Sequence, residues 1–379
     1  MVDEPVGEAP TGDTLKKTPL YEAHVQLGGK LVPFAGFEMA VQYPTGIMAE
    51  HNAVRTAAGL FDVCHMGEFV LKGPQALDLI QKIAVNDASK LQVWQAQYSA
   101  MCLENGGIID DLLVYRGPDH FMLVVNASNK EKDLAWVMEH SSDFDVEVTD
   151  KSDETALLAI QGPKAADIVQ GLTETNLDDI GYYRFGLGSV AGVHGVISRT
   201  GYTGEDGFEL YIPAASGMEL WQALMRAGEP LGLIATGLGC RDSLRLEMGY
   251  ALYGNDLDEE HTPLESGLGW ITKLDKGDFI GRDALVQQKE SGVTRRLVGM
   301  KLTEKGFPRH GYPIASGDQD VGVVTSGVVS PSLGVGVAMG YVPTEMASGG
   351  TEVGVRIRKN VVPAIVQRPP FYTEGSVRR

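Results

Sequence analysis

Two adjacent aspartates lie within an apolar segment, IIDDLLVY (108–115), which follows an Asn-Gly-Gly turn at 105–107. This pattern predicts a β-strand entered from a tight turn. Because neighbouring strand residues face opposite sides of a sheet, Asp110 and Asp111 cannot share one face. The segment alone leaves two interpretations open: both lie at an exposed edge, or one points into a pocket, where desolvation would raise its pKa and suit it to proton or cation chemistry.

A second candidate is Glu209 in SRTGYTGEDGFELYI (198–212), where glycines around Tyr202 predict a tight loop before the strand FELYI. Three apolar residues of this strand share one face, and Glu209 shares the other with Tyr211. That second face is either the solvated side, which is the favoured interpretation for Glu209 taken alone, or part of a site. In a site, the carboxylate would offer two adjacent acceptors to a flat ligand with paired N–H donors.

The third candidate is Arg241 in GLGCRDSLRLEMGY (237–250), a turn rich in glycine that leads into a helix with an apolar face. In the first helical turn the macrodipole disfavours a cation unless an anion or polar ligand is held there. Arg241 therefore either pairs with an acid such as Asp242 or Glu247, the commoner arrangement, or clamps a ligand.

The sequence argues against several other kinds of site. Its eight histidines show no HExxH or comparable spacing, so a metal site is not expected. Neither GxGxxG nor GxxxxGK[ST] occurs, so no nucleotide cofactor is expected. The 32 basic and 50 acidic residues give a formal charge of −18, which repels nucleic acid and anionic membrane surfaces.

The bulk composition of the 379 residues, 43% hydrophobic and 22% charged, indicates a globular protein of two or three domains. Its three cysteines form neither a CxxC pair nor an even-numbered framework. No apolar run approaches the roughly 20 residues that span a bilayer, and no signal peptide is evident. We therefore expect a cytoplasmic protein, with a mobile acidic tail at residues 1–16.

The sequence contains an internal repeat, which we call the echo, and this repeat predicts the secondary structure elements that position the candidate residues. GEFVLKGPQALDLIQ (67–81) and ALLAIQGPKAADIVQ (156–170) both indicate a strand, a Gly-Pro turn and an amphipathic helix. A second strand and helix follow each copy, FMLVVN with NKEKDLAWVMEH and FELYIP with SGMELWQALMRAG. We therefore predict two related α+β units within residues 17–290.

The C-terminal part has a different character, with short β-branched runs separated by Gly, Pro and Ser after about Thr294. This pattern predicts a small all-β barrel or sandwich at 291–379, after the polar helix RDALVQQKESG (282–292). The last 29 residues carry six basic and two acidic side chains. They form either a simply solvated end or a contact for an acidic partner.

These segments resemble the aminomethyltransferase (T-protein) family of the glycine cleavage system. The resemblance covers about residues 18–379 and rests on TPLYEAHVQLGGKLVPFAGFEMAVQY, FDVCHMGEF, NGGIIDDLLVY, AIQGPKA, SRTGYTGEDGFELY, GLGCRDSLRLE and PPFYTEGSVRR, in that order. It implies an α+β, multidomain folate-binding fold with two ferredoxin-like units and a C-terminal β-barrel around a central folate channel.

The resemblance also implies which residues form the site. Asp111 would be the catalytic carboxylate, close to the reactive nitrogens of tetrahydrofolate, and Glu209 would hold the aminopyrimidine edge of the pterin. The positions implied to bind the substrate and folate are Tyr98, Asn126, Tyr182, Tyr202, Glu209, Arg241, Trp270 and Tyr372.

The implied reaction moves a methylene carbon from an S-aminomethyldihydrolipoyl carrier protein (H-protein) to tetrahydrofolate, giving 5,10-methylenetetrahydrofolate and ammonia. Tetrahydrofolate would be a co-substrate, without metal or nucleotide. Asp111 would stabilise the cationic carbon left by departing ammonia. The basic C-terminal segment, with Arg378 and Arg379, would contribute to docking of an acidic carrier.

Related folds suggest three alternatives. Folate-dependent sulfonium demethylases usually diverge in the motifs that match here. Sarcosine and dimethylglycine dehydrogenases carry a flavin domain that this chain lacks. Non-catalytic folate binders that assist iron–sulfur assembly carry a KGC-type segment, which does not occur in this sequence.

Overall fold

A computed structural model of the protein describes residues 15–377. The helices of this range are α1 (Tyr21–Gln26), α2 (Ile47–Thr56), α3 (Ala76–Ile83), α4 (Lys130–Ser141), α5 (Ala165–Gln170), α6 (Gly217–Gly228), α7 (Leu238–Met248) and α8 (Arg282–Ser291). Before the C-terminal part, the strands are β1 (Lys30–Phe34), β2 (Phe37–Gln42), β3 (Ala58–Asp62), β4 (Gly67–Lys72), β5 (Gln95–Cys102), β6 (Ile108–Arg116), β7 (Phe121–Val125), β8 (Glu147–Asp150), β9 (Thr155–Gln161), β10 (Phe185–Val190), β11 (Val193–Ser198), β12 (Gly207–Pro213) and β13 (Leu233–Thr236).

The first copy of the echo forms an antiparallel sheet with strand order β5-β6-β7-β4-β8. Four of these strands, with α3 and α4, give the βαββαβ order of a ferredoxin-like unit, and β5 extends the edge. Apolar residues of α3 and α4, among them Leu79, Ile80 and Val137, pack on one face of the sheet.

The second copy forms a sheet with strand order β10-β11-β12-β9-β3-β13. In both sheets the two strands of the echo are antiparallel neighbours, β4 with β7 and β9 with β12. The second sheet differs from a ferredoxin-like sheet in that one additional strand is inserted into it. Strand β3, which precedes the first unit in the chain, pairs with β9 where a ferredoxin-like unit would have its own last strand. That last strand, β13, pairs in parallel with β3 instead.

The Gly-Pro turns have the same backbone requirement in both units. Gly73 and Gly162 have φ angles of 143° and 135°, which side chains rarely adopt. A Cβ atom would lie 2.5 Å from the carbonyl oxygen of Asp145 at Gly73, and 2.4 Å from that of Ala57 at Gly162. Glycine is therefore required at both turns, and each helix begins soon after the proline.

The C-terminal part is a closed barrel, as the sequence predicts. Its strands follow the predicted β-rich runs and are β14 (Arg295–Leu302), β15 (Pro313–Ser316), β16 (Gln319–Val329), β17 (Gly336–Pro343), β18 (Glu352–Ile357) and β19 (Asn360–Val366). The order β14-β17-β16-β15-β18-β19 closes through pairing of β14 with β19. The mixed α and β fold with a C-terminal barrel is thus confirmed.

A buried network of charges joins these parts around Glu247 of α7. Its carboxylate contacts Arg55 of α2 at 2.8 Å and His51 of α2 at 3.2 Å, and it accepts hydrogen bonds from Ser330 and Ser332 of the barrel. Burial favours the neutral acid, but these hydrogen bonds and charges together lower the pKa of Glu247 to about 2. An ionised Glu247 therefore holds two helices and the barrel together.

Both ends of the chain extend beyond the described range. The predicted tail lies outside it except for residues 15 and 16, and Lys16 donates to Gly36 and accepts from Glu38 through its backbone, both at 2.9 Å. Arg378 and Arg379 also lie outside the described residues. Between residues 15 and 377 no helix is long and apolar enough to cross a membrane. The three cysteines are buried and unpaired.

Candidate functional site

Asp111 lies on β6, between β5 and β7, and is held from both neighbours. The Tyr98 hydroxyl donates to its Oδ2 at 2.9 Å, and the Asn126 amide donates to its Oδ1 at 3.0 Å. Burial first, and then the negative charge of Asp110, raise the pKa of Asp111 to about 7, although both hydrogen bonds act in the opposite direction. The half-buried carboxyl group can therefore change its charge near neutral pH.

Asp110 faces the other side of β6 and is completely buried. It accepts three N–H hydrogen bonds, from the backbone and side chain of Asn126 at 3.0 and 2.9 Å and from the side chain of Asn129 at 2.7 Å. Neither aspartate lies at an exposed edge, so that interpretation is wrong. The Asn126 amide links the two carboxyl groups although they face opposite ways.

Glu209 lies in the interior of the second sheet and is 8% exposed. Its carboxylate accepts a hydrogen bond of 2.5 Å from Thr200, and burial raises its pKa. The solvated interpretation of this face is wrong because the first unit packs against it: Tyr115 of β6 bonds to Tyr211 of β12 at 3.1 Å. Glu209 therefore lies between the two units.

Arg241, the fourth residue of α7, has neither of the ion pairs that the sequence suggests. Asp242 pairs with Arg245 at 2.7 Å, and Glu247 pairs with Arg55. Within residues 15–377 no hydrogen bond or ion pair to the Arg241 guanidinium is observed. Burial lowers its pKa, and the nearby Tyr202 and Glu209 oppose that effect. Its guanidinium carbon lies 4.7 Å from the centre of the Tyr202 ring.

Aromatic rings connect these charged groups. Trp270, which is 66% exposed, stacks on Tyr98 with ring centres 6.3 Å apart, and Tyr202 stacks on Tyr250 at 5.7 Å. The Tyr202 hydroxyl donates to the Ala251 carbonyl, and burial raises the pKa of Tyr202. The resulting cluster, which we call the inter-unit site, contains Asp111, Asn126, Tyr98, Trp270, Tyr202, Arg241 and Glu209.

Two expected residues lie less directly in this site. Tyr182 packs edge-on against Tyr183, with ring centres 4.9 Å apart, and Tyr183 is electrostatically coupled to Glu209. Tyr372 lies over Arg55 at 4.2 Å, and none of its contacts within the described range joins it to Asp111 or Glu209. The structure therefore brings Tyr182 to the site through its neighbour and leaves Tyr372 beside the charge network around Glu247.

Sequence reasoning missed three residues that support the site: Thr200, Tyr183 and Tyr250. Thr200 stands two residues before Tyr202 in a motif already singled out, so a hydroxyl partner for Glu209 could have been sought there. Tyr183 has a φ angle of 59°, which is uncommon for a residue other than glycine and leaves no signal in the sequence.

The site has hydrogen-bonding capacity that the described residues leave unused. Arg241 offers five N–H donors, and the Glu209 carboxylate receives one observed hydrogen bond. Flat rings lie beside both groups. Residues 15–377 contain no cluster of His, Cys, Asp and Glu suited to a metal ion. The arrangement suits a flat polar ligand that carries both donors and acceptors, with a carboxyl group of raised pKa beside it.

Comparisons with known proteins agree over nearly the whole chain. The GCVT N-terminal domain family matches residues 20–276, and the glycine cleavage T-protein C-terminal barrel domain family matches residues 295–373. An aminomethyltransferase from Halothermothrix orenii is 51% identical over 94% of this chain and 100% of its own length. One from Symbiobacterium thermophilum is 51% identical over 95% and 98%. The crystal structure of glycine cleavage system aminomethyltransferase T from Bartonella henselae superimposes with a TM-score of 0.90 at 35% identity, covering 97% of this chain and all of that one.

Proposed function

Because this chain belongs to the aminomethyltransferase (T-protein) family of the glycine cleavage system, we propose that the inter-unit site carries out the reaction of that family. The enzyme transfers the methylene carbon of an S-aminomethyldihydrolipoyl carrier to tetrahydrofolate. The carbon–sulfur bond and the carbon–nitrogen bond to ammonia break, and two bonds to folate nitrogens form. The products are 5,10-methylenetetrahydrofolate, ammonia and the dihydrolipoyl carrier.

Tetrahydrofolate fits the unused hydrogen-bonding capacity of the site. Its aminopyrimidine edge carries paired N–H donors, which the buried Glu209 carboxylate can accept side by side. Arg241, which has no hydrogen bond or ion pair to its guanidinium within residues 15–377, can donate to polar oxygen atoms of the ligand, which would compensate for burying its charge. We propose that Tyr98, Tyr182, Tyr202 and Trp270 supply the flat walls of the channel and that Asn126 supports Asp111.

Asp111 is the group that we assign to the chemistry, because Tyr98 and Asn126 hold its carboxyl group in the inter-unit site and because its pKa is raised. A carboxylate in a site shielded from water stabilises a neighbouring cationic carbon more strongly than it could in solution. Tyr98 and Asn126 fix both of its oxygens, so no large rearrangement is needed during the reaction. A pKa near 7 also lets Asp111 accept a proton from a folate nitrogen, in addition to its electrostatic role.

The partner that supplies the one-carbon unit is a lipoylated carrier protein in the cytoplasm. We propose that the basic C-terminal segment contributes to its docking surface, because an acidic carrier would be repelled by most of a molecule with a formal charge of −18. Removing Arg378 and Arg379 should then raise the KM for the carrier and leave the KM for tetrahydrofolate unchanged. An unchanged KM for the carrier would refute this docking role.

The decisive test is methylenetetrahydrofolate formation from an aminomethyl-loaded lipoyl carrier and tetrahydrofolate, comparing wild type with Asp111→Asn. We expect the substitution to lower kcat by about 100-fold or more while the Kd for tetrahydrofolate changes little, since the interaction is made mainly in the transition state. Asp153→Asn is the matched control, because the Asp153 side chain is 91% exposed.

Two outcomes would change the assignment. If wild type binds tetrahydrofolate but forms no product, the chain is a demethylase that uses another donor or a non-catalytic folate binder. If Asp111→Asn keeps the wild-type kcat, the transfer takes place without this carboxylate and its assignment is wrong.

A further inference from the structure

Behind β6, helix α4 places a third acidic residue against the site. Asp133 is completely buried, and its carboxyl group lies within hydrogen-bonding reach of Asp110. No N–H or O–H donor within residues 15–377 reaches either of its oxygens. A buried carboxylate without any donor is very costly, so Asp133 cannot remain charged at this position.

The distribution of hydrogen-bond donors indicates which of the two carboxyl groups, Asp110 or Asp133, carries the proton. Asp110 receives three N–H groups, all from Asn126 and Asn129, whereas Asp133 receives none. Donors stabilise the ionised form, so the charge belongs on Asp110 and the proton on Asp133. A protonated Asp133 can then donate its O–H to Asp110, and both buried groups are satisfied. The pKa of Asp133 agrees with this assignment, because burial and the charge of Asp110 raise it to about 11. Burial also raises the pKa of Asp110, but the hydrogen bonds from Asn126 and Asn129 oppose that effect.

We propose that Asp133 is a positioning residue for aminomethyl transfer: as a neutral acid it donates to Asp110, which in turn fixes the Asn126 amide against Asp111. This inference rests on the role proposed above for Asp111. One Asn126 side-chain nitrogen serves Asp110 at 2.9 Å and Asp111 at 3.0 Å, so the orientation of the reactive carboxyl group depends on the pair behind it.

Other titratable groups lie close to Asp110, Asp111 and Asp133. Tyr98 and Tyr202 are coupled to Asp111, and both keep their protons because their pKa values are raised by burial. Lys132 lies beside Asp133 and binds the Ile109 carbonyl at 2.8 Å, with further contacts to Tyr253 and Glu259. The positive charge of Lys132 favours ionisation of Asp133 but is outweighed by burial and by Asp110.

The test compares Asp133→Asn, which keeps a donor toward Asp110, with Asp133→Leu, which removes it at similar volume. For Asp133→Asn we expect kcat and the pH profile of kcat/KM to match wild type. For Asp133→Leu we expect kcat to fall about 10-fold to 100-fold, with little change in the KM for tetrahydrofolate. Without the donor from Asp133, the anionic form of Asp110 is less stable and the pKa of Asp110 should rise. The acid limb of kcat/KM should therefore also move to higher pH by about one unit.

Infrared spectroscopy tests the proton without any need for activity. At about pH 9, above the titration of Asp111, the difference spectrum of wild type minus Asp133→Asn should contain a protonated-carboxyl C=O band. This measurement decides the protonation state even if Asp133→Leu does not fold, or if Asp111 proves not to act in the reaction.

Three results would overturn the proposal. The first is the absence of that band from the difference spectrum. The second is a folded Asp133→Leu protein with wild-type kcat and pH profile, which would make the contact purely structural. The third is a loss in Asp133→Asn as large as that in Asp133→Leu, which would mean that an ionised Asp133 is needed.

Discussion

Two residues of the inter-unit site, Glu209 and Arg241, are ionisable groups that have no ion pair within residues 15–377. Glu209 accepts from a neutral hydroxyl, and Arg241 has no ion pair within the described range. Such groups normally lower the stability of a protein, because burial removes water from a charge without replacing it. A ligand that completes their hydrogen bonds would recover this free energy, so we expect ligand binding to raise the thermal stability of the protein.

The role of Glu209 can be measured separately from catalysis. Glu209→Gln replaces one of two acceptor oxygens with an N–H₂ group, which would face the N–H donors of the pterin. We expect the Kd for tetrahydrofolate to rise about 10-fold to 100-fold and kcat at saturation to change far less. Glu229→Gln, on an exposed residue of the same unit, is the control. A wild-type Kd for Glu209→Gln would remove Glu209 from the folate contact.

The site could be predicted from the sequence only in part. Paired aspartates within an apolar strand marked the position of the site but left two interpretations open, an exposed edge or a pocket. Glu209 gave a misleading one: alternation in FELYI indicates two faces but does not reveal that another unit covers the second. That Arg241 has no ion pair in the described part of the chain could not be foreseen, because the acids beside it in sequence pair with Arg245 and Arg55 instead.

Among the elements, the two strand-turn-helix copies show how local sequence determines backbone shape. Both copies place glycine where a Cβ would collide with a carbonyl oxygen, and both turn directly into a helix. The six barrel strands were equally predictable, since turn residues separate them. What local sequence does not contain is pairing between distant segments, and so the position of β3 between β9 and β13 was not predicted.

The Gly-Pro turns give a stability prediction. Gly162→Ala would bring a methyl group 2.4 Å from the Ala57 carbonyl oxygen at a φ angle of 135°. We expect the free energy of unfolding to fall by about 2–4 kcal/mol, measured by urea denaturation. Gly349→Ala is the matched control, because nothing lies within 4 Å of its added Cβ. Equal midpoints for Gly162→Ala and wild type would show that the turn relaxes at little cost.

Across the whole molecule, the parts are joined by charge as well as by apolar packing. Glu247 is bonded to one helix of the N-terminal region and to one loop of the barrel, and Arg55 also contacts Glu205 at 2.7 Å. Glu205 in turn accepts hydrogen bonds from Ser376 near the C-terminus. The network therefore ties sequence regions more than 300 residues apart into one structure.

The contribution of this charge network to the stability of the protein should be larger at neutral pH than at low pH. The pKa of Glu247 is about 2 in the folded protein and about 4.3 in an unfolded chain, so its stabilisation is complete above the unfolded value. It is lost as pH falls through the folded value. At pH 7 we expect Glu247→Gln to lower the free energy of unfolding by about 2–3 kcal/mol, since Arg55 loses one of its two carboxylate partners.

Urea unfolding midpoints measured at several pH values would test this predicted pH dependence of the stabilisation by Glu247. The difference between wild type and Glu247→Gln should shrink from about pH 4.5 down to pH 2, as the wild-type carboxylate takes up its proton. Glu304→Gln, on an exposed residue of the barrel, should show no difference at any pH. A difference that is the same at low and neutral pH would mean that the charge of Glu247 contributes nothing.

The insertion of β3 into the second sheet constrains how the chain folds while it is being synthesised. Strand β3 ends at Asp62, but its pairing partners are β9, which ends at Gln161, and β13, which ends at Thr236. The ribosome must therefore release about a hundred further residues, including the whole first unit, before β3 can pair with anything. During that interval the nascent chain carries an unpaired strand that includes the apolar residues Leu60 and Phe61, the kind of surface that chaperones recognise.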